Sequence, residues 1–203
     1  KVKNYIQFDI SWFYLKYNNR VGTITTSGTN YRLITNVGAS ISQGIESYIE
    51  FNPVRAFSNS QTTDVILFSS YSYTNATYSS DHKDANTKGK KVENAPTDIF
   101  RGGISYGYKN FLITAQLSFV GASFSDANNT IVASANGNTG RIPSYSITDL
   151  TGSYKFSKML QLKAGINNVL DKRYFTRRAG GYPGPGALPA DGRSLFISIG
   201  AKL

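Results

Sequence analysis

Residues 31–52 read YRLITNVGASISQGIESYIEFN, and apolar side chains alternate with polar ones through most of this stretch. The odd positions carry Leu33, Val37, Ile41, Ile45 and Ile49, whereas most even positions are small, polar or charged. Successive side chains of a β-strand point to opposite faces, so an alternation of this length predicts an amphipathic strand. The stretch therefore favours a sheet with one apolar and one polar face.

The same period of two recurs along the chain, whereas a helical period is hard to find, so the sequence predicts an all-β fold. The eight predicted strands cover residues 4–17, 31–52, 63–74, 97–106, 110–124, 142–156, 160–167 and 195–203. Several of them are longer than the five or six residues usual in globular sheets.

The connections between the predicted strands alternate in length. Short ones lie near Gly107 and Lys158, with a somewhat longer one at 53–62, and long polar ones cover 18–30, 75–96, 125–141 and 176–192. Short turns at one end and long loops at the other are typical of a transmembrane antiparallel β-barrel, in which closure pairs the backbone groups. A soluble β-sandwich with the apolar faces turned inward is the alternative.

Aromatic residues near the predicted strand ends support the membrane interpretation, because Trp, Tyr and Phe form girdles at both interfaces of such barrels. The candidates are Trp12, Tyr14, Tyr17, Tyr71, Tyr73, Phe119, Phe124, Tyr154 and Phe156. Trp12, Tyr14, Phe119 and Tyr154 are the interface residues expected first.

Composition excludes several kinds of site. The 203 residues contain 22 Lys and Arg against 12 Asp and Glu, a net charge of +10, with no Cys and one His. Without Cys, and with only His82, a dedicated metal site or a Ser–His catalytic pair is not expected. The basic run KGKK at 88–91 lacks the aromatic interleaving of a nucleic-acid interface, so no nucleic-acid partner is predicted.

The stretch YFTRRAGGYPGPGALPADGR, residues 174–193, is rich in Gly, Pro and Arg. Proline lacks a ladder donor and glycine weakens strands, so the stretch is predicted to form an irregular cap and not to extend a hairpin. Its arginines Arg177, Arg178 and Arg193 suit a carboxylate or phosphate. The alternative is that they pair with Asp171 and Asp191, or with lipid phosphates.

The C-terminal third resembles the end of TonB-dependent outer-membrane receptors. The resemblance rests on Asn168, Val169, Leu170, Asp171 and Tyr174, which lead from the penultimate strand into the last long loop. The following YFTRRAGGYPGPG is similar to the ferric-dicitrate-type branch. Two looser matches lie upstream, at Gly44 with Glu46 and at Asn94 with Pro96.

The resemblance implies a 22-stranded barrel of the bacterial outer membrane, closed around an N-terminal plug that contacts TonB. Residues 1–203 would then be the last eight strands, with the plug absent before Lys1, and the alternative is a self-contained eight-stranded barrel serving as an anchor or adhesin.

The implied function is a transport receptor for ferric chelates, citrate first, and not an enzyme. Iron would arrive as chelated substrate, so neither a cofactor nor a resident metal is expected. Candidate ligand-binding residues of the long loops are Arg141, Arg177, Arg178, Tyr182 and Arg193. Expected partners are the chelate, outer-membrane lipid with lipopolysaccharide, and the TonB complex through the absent N-terminal part.

Overall fold

The computed structural model describes residues 4–25, 32–58, 60–81, 86–182 and 184–201. Eight long strands form one sheet: β1 (Ile6–Tyr17), β4 (Ser40–Phe51), β5 (Thr63–Tyr78), β6 (Asp98–Tyr108), β7 (Phe111–Val120), β10 (Tyr145–Lys155), β11 (Leu160–Asn167) and β14 (Ser194–Ala201). Three two-stranded sheets lie in the connections: β2 (Val21–Thr25) with β3 (Arg32–Asn36), β8 (Ser123–Phe124) with β9 (Arg141–Ile142), and β12 (Phe175–Ala179) with β13 (Gly186–Pro189).

The described helix, α1 (Pro53–Phe57), follows β4 and begins at an N-cap in which Asn52 Oδ1 accepts from the N–H of Arg55 at 2.9 Å. Among the described residues, no helix has the length and apolar character needed to cross a bilayer.

The sheet is a meander in the order β1-β4-β5-β6-β7-β10-β11-β14, and each neighbouring pair is antiparallel. The connections 52–62, 109–110 and 156–159 lie at one end, called the turn end, and loops 18–39, 79–97, 121–144 and 168–193 lie at the other, called the loop end. The predicted antiparallel all-β fold is confirmed. Because β1 and β14 are its two edges, the sheet is open, which does not support the self-contained barrel.

Strand register gives the sheet two distinct faces. Trp12 is paired with Ile45, and Ile45 with Tyr73, so these side chains share what we call the apolar face. One residue along, Ser11, Glu46 and Ser72 form a row on the polar face. Both faces follow the predicted alternation.

The interface aromatics divide between the two faces. Trp12, Tyr14, Phe119 and Tyr154 all lie on the apolar face and are exposed, Trp12 by 67%. Tyr17 was expected with them, but it pairs with Ser40 on the polar face because it lies an odd number of residues from Trp12. Phe124 is also not on the eight-stranded sheet, since it belongs to β8.

Phenylalanines of the polar face cover glycines of the neighbouring strand. The paired residues are Phe13 with Gly44, Phe68 with Gly103, and Phe196 with Gly165. A methyl group added to Gly165 would lie 2.5 Å from Phe196 Cε1, so the ring occupies the space that a side chain would fill. Such cross-strand aromatic–glycine pairs compensate for the packing that glycine lacks in a strand.

The prediction of one continuous strand over 31–52 was wrong. The chain pairs with β2 up to Asn36, bends through 37–39, and enters the main sheet at Ser40. Gly38 has φ +102°, a conformation that L side chains rarely adopt, and its N–H donates to Asn36 Oδ1 at 3.0 Å. The alternation continues through the bend, so periodicity alone did not reveal it.

Most buried apolar residues of the described chain lie at the loop end. The cluster consists of Ile24, Val37, Ala76, Tyr78, Val92 and Ala127, with Ala95 packed against it. Backbone hydrogen bonds join the same loops: Ala127 N–H donates to Thr23 O at 2.9 Å, and Asn94 N–H donates to Phe124 O at 2.7 Å. The described parts of loops 18–39, 79–97 and 121–144 therefore form one packed layer, which we call the loop layer.

We predict that Gly165→Ala destabilises the sheet by about 1–3 kcal/mol, the usual cost of overpacking, because the new methyl group meets the Phe196 ring. The matched control is Gly200→Ala on the same face of β14, where the nearest atom would lie 4.0 Å away. The measurement is the urea midpoint of the complete protein refolded into phospholipid vesicles. Equal midpoints for the two variants would contradict the packing role of Phe196.

Candidate functional site

The Gly- and Pro-rich loop 168–193 contains a short hairpin, contrary to the prediction of an irregular cap. β12 pairs with β13 from Phe175 opposite Pro189 to Ala179 opposite Gly186, with a register shift between Phe175 and Arg177. Pro185 precedes β13 and Pro189 ends it, so neither interrupts the ladder. Proline at the end of an edge strand costs no ladder donor, which is why the hairpin tolerates this composition.

Arg178 fastens this hairpin to loop 121–144. Its Nη1 donates to Gly137 O at 2.8 Å, its Nη2 to Arg141 O at 3.3 Å, and its guanidinium lies 4.9 Å from the centre of the Phe175 ring. The side chain is half-buried, and this burial lowers the pKa of Arg178 from its ordinary value while the guanidinium remains charged. Arg178 therefore joins the last loop to the loop layer.

Asn168 fixes the turn that leads from β11 into loop 168–193. It is buried, with φ 51°, and its N–H donates to Asp149 Oδ1 at 2.8 Å. Its side chain accepts from the N–H of Lys172 at 2.8 Å and donates to Lys172 O at 2.9 Å. The motif that carried the family resemblance is thus a hydrogen-bonded turn at the loop end.

Asp171 closes the same turn onto the start of β14. Its Oδ1 accepts from the N–H of Arg193 at 2.9 Å, and this bond, with the nearby charges of Arg173 and Arg193, holds the pKa of the carboxyl below its ordinary value. The Arg193 side chain donates to Val169 O at 3.5 Å. Both contacts of Arg193 are within the protein.

The remaining sequence-predicted candidates are exposed at the loop end. Arg177 lies on β12 beside Arg178, and Arg141 begins β9. Tyr182, in the connection between β12 and β13, is fully exposed. The hydrogen bond from Arg178 to the Arg141 carbonyl brings these two residues together. The side chains of Arg141, Arg177 and Tyr182 are exposed to solvent.

An aromatic pair that the sequence did not reveal lies below the loops. The rings of Tyr145 and Tyr174 stack with centroids 4.4 Å apart and an interplanar angle of 29°. They line a cavity of about 100 Å³ together with Pro143, Lys172 and Phe175. Tyr174 was noted only as part of a motif, and its partner across the loop has no local sequence signal.

The described residues contain no group of three or more His, Cys, Asp or Glu side chains that is able to hold a metal ion. His82, the single histidine, lies outside the described residues.

We predict that Arg178→Gln frees the β12–β13 hairpin, because glutamine does not reach both carbonyls. Amide hydrogens of that hairpin should exchange about tenfold faster, the scale expected for losing hydrogen bonds from a charged donor. Arg177→Gln, an exposed neighbour on the same strand, is the control and should leave exchange unchanged. If both variants exchange like the unmodified protein, Arg178 does not hold the loops together.

Comparison with solved structures shows the same architecture in much longer chains. The crystal structure of the unliganded ferric citrate transporter FecA superposes with a TM-score of 0.79 and 25% identity, over 97% of this chain and 29% of that one. The copper transporter OprC gives 0.71 with 15% identity, over 98% of this chain and 29% of that one. The siderophore receptor PiuA from Acinetobacter baumannii superposes with a TM-score of 0.65 and 21% identity, over 98% of this chain and 26% of that one.

Sequence comparison agrees with the structural likeness. Over 65 residues the chain is 38% identical to the probable TonB-dependent siderophore receptor PiuA of Acinetobacter baumannii. The matched segment covers 32% of this chain and 8% of that receptor. The chain thus spans less than a third of the relatives it matches. The family described as TonB dependent receptor-like, beta-barrel, matches residues 2–169. The chain therefore belongs to this family, whose members are transport receptors of the bacterial outer membrane and not enzymes.

Proposed function

We propose that this chain forms part of a TonB-dependent outer-membrane receptor that imports a ferric chelate, with ferric citrate as the first candidate. In this arrangement the apolar face meets lipid, the polar face lines the lumen, and the loop end faces the outside of the cell. The observation that carries the proposal is the likeness to the ferric citrate transporter over 97% of this chain.

The choice of citrate rests on the chemistry of the loops, since solved relatives that share the fold differ in their named cargo. OprC is described as a copper transporter and PiuA as a siderophore receptor. Ferric citrate is an anion whose carboxylates suit the two-pronged donors of arginine. Arg141 and Arg177 are exposed arginines of two loops that Arg178 joins, and Tyr182 adds an exposed phenol.

Arg178 and Arg193 have a different part in the proposal. Their side chains donate to backbone carbonyls, so they position the loop that carries Arg177 and Tyr182. A preorganised loop loses less conformational entropy when the chelate binds. Iron enters this scheme as chelated cargo, with no cofactor required.

Uptake of ferric citrate tests the proposal. We predict that the full-length receptor, expressed in cells without another citrate receptor, supports uptake of radioactive iron from ferric citrate, and that uptake stops in cells lacking TonB. Replacing both Arg141 and Arg177 by Gln should weaken ferric citrate binding about tenfold or more, as expected for lost charge-assisted hydrogen bonds.

The control is Lys158→Gln, which removes a positive charge at the turn end and should leave binding unchanged. Uptake of a neutral ferric trihydroxamate, without uptake of ferric citrate, would contradict the choice of an anionic chelate.

Outer-membrane lipid is a proposed partner of the apolar face. Lys16 is paired with Ile41, Ile41 with Thr77, and Thr77 forms a bridge with Lys91, so both lysines lie in one row at the loop end. Three strand spacings of roughly 4.8 Å place their Cα atoms about 14 Å apart. Just below this row lie Trp12 and Tyr14, and lysines beside an aromatic girdle suit the phosphates of lipopolysaccharide.

We predict that the double variant Lys16→Gln, Lys91→Gln retains less lipopolysaccharide on purification from outer membranes, because two phosphate partners are lost. Native mass spectrometry measures the bound lipid. The matched control replaces Lys155 and Lys163 on the polar face by Gln, and equal retention by the two double variants would contradict the site.

A further inference from the structure

The connections at the turn end are basic. Their sequences are NPVRAFSNSQT (52–62), KN (109–110) and FSKM (156–159). None of them contains an acidic residue, whereas Arg55, Lys109 and Lys158 each carry a positive charge. Arg55 is used within the protein, because its Nη2 donates to Asp64 Oδ2 at 2.8 Å. Among the ion pairs of the described residues, none involves Lys109 or Lys158, and both lysines are exposed.

The turns that carry Lys109 and Lys158 lie side by side. The N–H of Lys155, the last residue of β10, donates to Asn110 O at 3.0 Å, which sets the first turn against the end of β10 where the second turn begins. The second turn is held by Ser157, whose Oγ accepts from two following backbone N–H groups, each at 3.1 Å. The two lysines therefore belong to one small region of the turn end.

An open cavity of about 710 Å³ lies beside the second turn. Lys155 and Lys158 provide its cationic side chains, while Met159, Leu160 and Ala201 provide an apolar wall. Met159 is itself 60% exposed. A cavity with ammonium groups on one side and apolar groups on the other suits an amphiphile that carries a negative charge.

Aromatic rings of the apolar face stand next to the same turns. Tyr108 is paired with Phe111, and Phe111 with Tyr154, so these three residues share one row. Phe156 packs edge-on against Tyr154 with ring centroids 4.9 Å apart, and all four rings are exposed. Lys109 Nζ lies 5.3 Å from the centre of the Tyr108 ring, which places this ammonium beside the aromatic row.

The acidic residue nearest to Lys109 in the strand register is Asp64, which is paired with Gly107. Asp64 lies on the polar face, one residue out of step with the row of Tyr108, and its carboxylate accepts from the side chains of Arg55 and Asn52. Along β10 the next carboxylate is that of Asp149, six residues from Lys155, which is about 20 Å of strand. No described acidic side chain is thus placed to neutralise the lysines beside the aromatic row.

We infer that Lys109 and Lys158, beside the exposed rings of this row, bind an anionic phospholipid of the phosphatidylglycerol type in the leaflet at the turn end. The inference rests on one part of the proposed function, which is the contact of the apolar face with lipid. The lysines donate to the headgroup phosphate, while the rings and Met159 lie against the acyl chains near the interface. An acidic protein segment would pair with the lysines but would leave the aromatic row without a partner, so a lipid accounts for both features.

The test is lipid binding by the full-length receptor, stripped of lipid in detergent and then given phosphatidylglycerol or phosphatidylcholine with the same acyl chains. Native mass spectrometry counts the bound lipids. We predict that the receptor prefers phosphatidylglycerol, and that the double variant Lys109→Gln, Lys158→Gln binds it about tenfold more weakly, because two cations beside the headgroup are lost. The double variant Lys109→Arg, Lys158→Arg keeps both charges and should retain the preference.

The matched control is the double variant Lys88→Gln, Lys90→Gln, which removes two positive charges at the loop end and should leave phosphatidylglycerol binding unchanged. Equal binding of the two lipids by the unmodified receptor overturns the inference, as does equal phosphatidylglycerol binding by the unmodified receptor and the turn-end glutamine variant. Displacement of the lipid by glycerol phosphate at matched concentration would assign the lysines to a free anion. Zero-length cross-linking of Lys158 to a carboxylate elsewhere in the receptor, without a lipid preference, would assign them to a protein partner.

Ferric citrate binding by the same preparations separates this inference from the proposed function. If the receptor prefers phosphatidylglycerol but binds no ferric citrate, the inference stands and the proposed cargo is wrong. Heat-modifiable migration reports folding of each variant. If the turn-end glutamine variant does not fold, the single variant Lys158→Gln decides, and undiminished phosphatidylglycerol binding by it overturns the inference.

Discussion

The structure depends on one constraint, which is that backbone N–H and C=O groups within hydrocarbon must find partners in the protein itself. An antiparallel meander meets this requirement strand by strand, and its ladder fixes which residues stand opposite each other. The register then assigns each side chain to the apolar or to the polar face. A shift by one residue would exchange the two faces along a whole strand, as the position of Tyr17 relative to Trp12 illustrates.

The same constraint explains why the interior of the described chain differs from that of a soluble domain. Neither face of the eight-stranded sheet is covered by a second layer, so its large apolar side chains are exposed. Dense packing occurs instead at the loop end, around Val37 and Tyr78, where water would otherwise reach unpaired loop backbone. On the polar face, local density comes from phenylalanines lying over glycines, as at Phe196 and Gly165.

Much of the fold was predictable from the sequence because a period of two is a direct physical signal of a two-faced sheet. The strand count, the antiparallel class and the alternation of turns and loops were all readable in this way. The bend at Gly38 was not, because the apolar alternation continues through it while the backbone changes direction. The β12–β13 hairpin was not predictable either, because composition alone does not show that Pro185 and Pro189 fall at strand boundaries.

The candidate site was less predictable than the fold. Arginines of the loops were identified by type, but a guanidinium serves a backbone carbonyl as readily as a carboxylate, and only geometry separates Arg178 from Arg177. Tyr174 was noted only as part of a motif, and its stacking on Tyr145 depends on how loop 168–193 lies against the start of β10. That residues 1–203 form the last eight strands of a 22-stranded barrel stays a prediction.

In the proposed orientation, with the loop end outside the cell, the loop layer also decides how other molecules recognise this surface. Because residues from three loops pack into one cluster, with Arg178 attaching a fourth, neighbouring points on the outer surface come from distant parts of the sequence. An antibody or phage protein that recognises this surface meets a discontinuous epitope. A synthetic peptide copied from one loop lacks the contacts that shape it, and therefore presents a different antigen.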